Sequence, residues 1–162
     1  MGLFKAYKTD KSLERKGIVF TPDAGTAITL ARAGGSNIKF AKILDAKSKP
    51  YRRQIDAGTL DPKLDRLMMV ETYAEAIILN WETLVTIDDK EQLIQGIEAD
   101  PDDKDAYQGE LVDYDGTLVA PFSKHNVIAT LQALPDMLID IQRQANASGN
   151  FLVQQREDAA KN

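Results

Sequence analysis

Cysteine is absent from this 162-residue chain, which removes disulfides, thiolate zinc sites, iron–sulfur clusters and cysteine nucleophiles together. Histidine occurs once, at His125, so one chain cannot supply a paired-histidine metal site. No apolar run approaches the ~20 residues that a membrane-spanning helix needs. The start, Met1-Gly2-Leu3-Phe4-Lys5, lacks the apolar stretch of a secretory leader. Cationic surface is scarce as well. The net charge is −5, and residues 98–115 hold Glu98, Asp100, Asp102, Asp103, Asp105, Glu110, Asp113 and Asp115 against Lys104 alone. A duplex-binding protein gathers cations on one face to release phosphate counterions. The short cluster Lys47, Lys49, Arg52 and Arg53 reads instead as a solvated face paired with acids of this chain or of a neighbour. The expectation is a cytoplasmic protein with no nucleic acid, no membrane and no cofactor.

What is present is the composition of a globular protein, with 43% hydrophobic and 28% charged residues, in a length that favours one domain. Residues 1–16 are polar with scattered Leu3, Phe4 and Leu13, and read as a loose arm. The runs Gly17-Ile18-Val19-Phe20-Thr21 and Thr26-Ala27-Ile28-Thr29-Leu30-Ala31 flank Pro22-Asp23-Ala24-Gly25, which has turn chemistry. That pattern predicts a hairpin, which must pack on helices or pair with another chain. Gly34-Gly35 breaks the chain, and Ser36 is placed to cap a helix over 37–48. Pro50 starts a second short helical turn that Gly58 stops.

Asp61-Pro62 is a start signal, a capping acid followed by proline at the first helical position. From there Leu64, Leu67, Met68, Tyr73, Ala74, Ile77, Ile78, Trp81 and Leu84 keep helical spacing, which predicts one long helix through Leu84. Glu91 to Ile97 predicts one short helix, and Asp100-Pro101-Asp102-Asp103-Lys104-Asp105 an exposed loop. Asp115-Gly116 predicts a second hairpin between the runs 110–114 and 117–120. Ser123 caps the next helix, Pro135 opens another, and Ser148-Gly149 ends it.

Three motifs resemble chemistry and fail on context. Leu111-Val112-Asp113-Tyr114-Asp115-Gly116-Thr117-Leu118 reproduces the signature of haloacid-dehalogenase-type phosphatases, in which Asp113 would be the nucleophile and Asp115 the acid/base. The residues after Asp115 supply no parallel sheet, so a hairpin turn is the better reading. Counted from Asp100, a calcium-binding loop needs glycine sixth and glutamate twelfth, where Asp105 and Leu111 stand. Ser123 and His125 share a helical turn but have no orienting acid in a recognisable arrangement.

From Phe40 to Trp81 the chain is similar to a known family. Lys49-Pro50-Tyr51-Arg52-Arg53-Gln54-Ile55, then Gly58-Thr59-Leu60, then Tyr73-Ala74 and Asn80-Trp81-Glu82 resemble the tail assembly chaperones of siphophages and some myophages. Asp113-Tyr114-Asp115-Gly116, the helix from Ser123, Pro135-Asp136-Met137, Phe151 and the terminal Lys161-Asn162 follow in the same order. Each motif is short, so their order carries the specificity, and the stretch 86–109 departs from the pattern as an insertion. The resemblance implies a protein without bond chemistry. It would coat the helical tape measure protein in the host cytoplasm, keep it soluble, help recruit tail tube protein, and self-associate through the hairpin edge or the tail.

The resulting expectation is a mainly α fold, a helical domain with one or two small β-hairpins. Its parts are an arm at 1–16, a single domain at 17–147 carrying the acidic insertion 86–109, and a tail at 148–162. Trp81, Phe151 and Leu152 are the candidate partner-binding residues, although a tryptophan on an apolar helical face is more often core. The alternatives are a structural head–tail connector, completion or tail protein of a phage and, more remotely, the phosphatase.

Overall fold

Short polar residues and glycines that punctuate the sequence become caps. Asp10 accepts the backbone N–H groups of Ser12 and Leu13 and starts a helix at Lys11. Asp61 accepts from the N–H of Lys63, and Ser123 from that of Asn126 at 3.1 Å. Gly58 closes a short helix in the left-handed region at φ 69°, where a side chain would be strained. Each cap satisfies backbone groups that helix ends leave open.

The computed structural model describes residues 2–23, 25–87, 89–95 and 122–153. Among them the helices are α1 (Leu3–Tyr7), α2 (Lys11–Lys16), α3 (Ile38–Ser48), α4 (Arg52–Ala57), α5 (Pro62–Ala76), α6 (Lys124–Ala133) and α7 (Pro135–Asn146). Single 3-10 turns at Lys49–Tyr51 and Ser148–Phe151 join or follow them. The strands β1 (Ile18–Asp23), β2 (Thr26–Leu30), β3 (Ile78–Ile87) and β4 (Lys90–Gln95) form one antiparallel sheet in the order β1-β2-β3-β4. The fold is mainly α with a minor β component. Between β2 and β3 the chain leaves the sheet to build α3, α4 and α5.

The predicted hairpin forms, with Ile18 opposite Leu30 and Phe20 opposite Ile28. Ile28 also lies opposite Trp81, and Leu30 opposite Ile78, so two rows of apolar residues cross three strands. Directly opposed side chains share a sheet face. That face meets α5, α6 and α7. Ile28, Leu30, Val70, Tyr73, Ile77, Val127, Leu131 and Ile141 are buried in one cluster. Fully burying a side chain of this size stabilises by about 1.5–3 kcal/mol before entropy is counted. Tyr73 joins three elements: its ring meets Phe40 of α3 edge-on at 5.7 Å, and its hydroxyl accepts from Asn146 Nδ2 at 3.1 Å.

The end of one predicted helix and part of another are strands. The helix from Pro62 ends at Ala76 instead of continuing to Leu84, and residues from Ile78 form β3. The stop is tertiary in origin. Asn37 Nδ2 donates to the Ala76 carbonyl at 3.1 Å, and the Ala31 N–H donates to the Ile77 carbonyl at 2.8 Å. Helix continuation would need those two carbonyls. The predicted helix from Glu91 is β4, paired along β3 from Ile87 opposite Lys90 to Glu82 opposite Gln95. Residues 86–87 and 90–95 of the expected acidic insertion are therefore sheet. The acidic loop and the hairpin around Asp115-Gly116 lie outside the described residues.

The expected loose arm is held at its second half. Glu14 is 1% exposed and pairs with Arg32 of the β2–α3 loop, while Thr9 Oγ1 donates to its other carboxylate oxygen at 3.2 Å. Thr9 bridges Leu152, and the Asp10 N–H donates to the Phe151 carbonyl at 2.7 Å. The start of the expected tail thus closes over the end of the arm. At the start of α3, Asn37 takes the capping position expected for Ser36, whose hydroxyl donates to the Lys11 carbonyl instead.

Candidate functional site

The segment from Lys49 to Leu60 sets the geometry of an apolar groove on the helical side. Pro50 sits in the 3-10 turn that ends α3, and Gly58 reverses the chain, with its N–H donating to the Gln54 and Ile55 carbonyls. Asp61-Pro62 then launches α5. Two turns so close together leave α4 propped outward with no buried residue. The space between α3, α4 and α5 is a groove of about 520 Å³. Leu44, Ile55, Leu60 and Met68 line it, with Arg52, Asp56 and Asp65 at its edges. Ile55 stays 39% exposed and Met68 is buried at its floor. Unbranched methionine adapts its shape to whatever packs against it.

Charge pairs brace the two longer helices. Lys47 of α3 donates to Glu71 at 2.8 Å and reaches Glu75 at 3.4 Å, both on α5. Lys124 of α6 pairs with the same Glu75. The hydrogen bond to Glu71 is the main cause that raises the Lys47 pKa, against an opposing effect of burial. For Glu75, burial pushes the pKa up, but the Lys124 hydrogen bond and the charges of Lys47 and Lys124 bring it below the ordinary carboxylate value. Burial raises Tyr73, and its bond to Asn146 offsets part of that. Arg52 pairs with Asp45 at 2.8 Å, both well exposed, so that contact stabilises little. The basic cluster therefore spends Lys47 and Arg52 on acids of its own chain, as expected from the composition.

The residues assigned to partner contact in the sequence are placed differently. Trp81 is 2% exposed, opposite Ile28, with its ring edge-on to Phe122 at 5.5 Å. Phe151 is fully buried. Leu152 is half-buried in its bridge to Thr9. Trp81 and Phe151 hold the fold together and offer no surface. The reason is the strand: once residues 78–87 join the sheet, Trp81 points into the core that an extended α5 would have left behind. Ser123 is engaged as the α6 cap, with exposed His125 in the first turn. Asp113 and Asp115 lie outside the described residues.

No family model, curated protein or solved structure matches the chain. The candidate site therefore rests on its geometry. Among the described residues, no group of three or more His, Asp or Glu side chains could hold a metal ion, and no helix is long and apolar enough to cross a membrane. Sequence reasoning missed the groove because its apolar residues come from three helices and the turn at Leu60, which only the tertiary fold brings together. It also missed the Glu14–Arg32 pair. The signal for that pair was Gly34-Gly35. Gly35 has φ 55°, and a Cβ there would overlap Glu14 Oε2 and approach Arg32 Nη1 to 2.8 Å.

Proposed function

We propose that this chain is a phage tail assembly chaperone that binds and solubilises the tape measure protein and helps recruit tail tube subunits, without catalysis of its own. One observation carries the reading. The segment Lys49 to Leu60, which carries the first motifs of the resemblance to that family, is also the segment that opens the α3–α4–α5 groove. An amphipathic helix of a partner lays apolar side chains at one-turn spacing into such a groove. Ile55, Leu44 and Leu60 supply the apolar wall, and the charged edges keep the unoccupied groove in water. The host cytoplasm is the compartment where that partner is made.

The test is co-expression with a tape measure protein from the same gene neighbourhood. The expected result is that the tape measure protein moves from the pellet to the soluble fraction and co-purifies with this chain. Ile55→Asp should abolish that rescue while leaving the chaperone folded. A tape measure protein that stays insoluble, with no tail protein bound, overturns the reading. Mass spectrometry of finished virions distinguishes the structural alternative, since a connector or completion protein stays in the particle and a chaperone is shed.

A further inference from the structure

Helix α1 holds its large apolar side chains in solvent: Leu3 is 77%, Phe4 83% and Tyr7 74% exposed. Nothing in the helix is buried. Lys5 and Lys8 flank these residues, and neither makes an ion pair among the described residues. The base of α1 is fixed, because the Val153 N–H donates to the Lys8 carbonyl at 3.1 Å and the Asp10 N–H to the Phe151 carbonyl. An apolar, basic knob therefore projects from an anchored point.

A hollow of complementary character lies where edge strand β1 passes the α6–α7 corner. Phe20 and Pro22 form one side, and Leu134 and Met137 the other, around about 320 Å³. Leu134 is 48% exposed. Asp136 and Asp140 stand on its α7 edge, and no cation lines it. Arg143 approaches Asp140 at 3.5 Å, but both groups are more than half exposed and water screens them. Asp136 makes no ion pair among the described residues. Along the helix axis Lys5 and the C-cap Lys8 are about 4.5 Å apart, and Asp136 and Asp140 about 6 Å, roughly one turn in each case.

We propose that α1 of one copy seats in the β1/α6–α7 hollow of a second copy, with Lys5 and Lys8 facing Asp136 and Asp140. Knob and hollow are different places on the molecule, so the contact is heterologous and repeats head to tail into a ring or an open helix. The knob is a single helix of 5 residues, so the contact forms weakly and responds to concentration. It does not rest on the chaperone reading, because it needs no tail protein.

Sedimentation velocity on the full chain tests it, over a series reaching several hundred micromolar in low salt and again near 0.5 M salt, where the Debye length is only a few ångströms. The wild-type mass should rise with concentration in low salt and fall towards the monomer in high salt. Phe4→Asp should weaken association at least about tenfold, a loss of about 1.4 kcal/mol, with an unchanged melting temperature because Phe4 supports no core. Lys5→Glu with Lys8→Glu, and separately Asp136→Lys with Asp140→Lys, should each give monomers. A one-to-one mixture of those two variants should associate again, since each acidic knob then meets a basic hollow and each basic knob an acidic one. A wild-type monomer throughout, association that survives Phe4→Asp, or a mixture that stays monomeric overturns the proposal. So does a monomer whose α1 binds anionic vesicles and loses them on Phe4→Asp, which would assign the knob to a lipid surface.

Discussion

Helices α4 and α5 are separated by one capped turn, yet they belong to the molecule in opposite ways. Helix α5 buries Met68, Val70, Thr72, Tyr73, Ala74 and Ala76 and leads straight into the central strand β3. Helix α4 buries nothing and holds Ile55 over a groove. The same contrast recurs at the N-terminus, where α2 is pinned by buried Glu14 and α1 presents Leu3, Phe4 and Tyr7 to water. Stability is concentrated in β2, β3, α5, α6 and α7. Large apolar side chains that this core leaves exposed include Leu3, Phe4 and Tyr7 on α1, Ile55 on α4 and Leu134 at the α6–α7 corner, besides Val19 and Leu79 on strands and Ile38 and Ile139 on longer helices.

The contrast breaks most sharply at Trp81. Trp81→Ala removes a fully buried side chain shared by β3, β2 and Phe122, and should lower stability by about 3–5 kcal/mol, read by urea denaturation. Gly35→Ala comes next. The change combines positive φ with overlap onto the Glu14–Arg32 pair, and should cost about 1–3 kcal/mol, measured the same way. A wild-type-like midpoint would mean that the pair can shift without loss.

Acid should loosen the helical brace around Glu75. Because the folded pKa of Glu75 is lowered, its contribution is present above the ordinary carboxylate range and is lost as pH falls through that lowered value. Lys47 has the opposite sign. Its raised pKa means a contribution present at neutral pH and lost only at strongly alkaline pH, as pH rises through the raised value. Glu75→Gln should therefore flatten the acid limb of a melting-temperature profile, by less than about 1 kcal/mol. The smallest effect belongs to α4. Ile55→Ser should change stability by no more than about 0.5 kcal/mol, while weakening capture of a tape measure protein. A large stability loss at Ile55 would erase the distinction between the two helices.

Local chemistry was legible wherever one residue decides one backbone group. Asp61-Pro62, Gly58, Ser123 and Pro135 mark helix ends in the sequence and in the structure, because a cap needs only its neighbours. The stretch 77–84 was misread. The run Ile77-Ile78-Leu79 is too short for spacing to tell helix from strand, and only pairing with β2, with its register shift between Asn80 and Ile78, separates the two. The strand Lys90–Gln95 has the same ambiguity, resolved by β3 beside it. Of the candidate site, the turn residues around Pro50 and Gly58 were visible, and the groove between the helices was not.

By itself the sequence determined the absence of thiol chemistry, the helix starts at Pro62, Lys124 and Pro135, the first hairpin and the acidic bias, since each depends on residue identity or on contacts a few residues away. Tertiary structure alone decided where α5 stops, that Trp81 and Phe151 are core, and which apolar side chains remain uncovered. Carbonyls at Ala76 and Ile77 find partners on Asn37 and Ala31, some 40 residues earlier in the chain. A hydrogen bond between such distant residues leaves no periodic trace in the sequence, and it outweighs the weak intrinsic preference of a short apolar run.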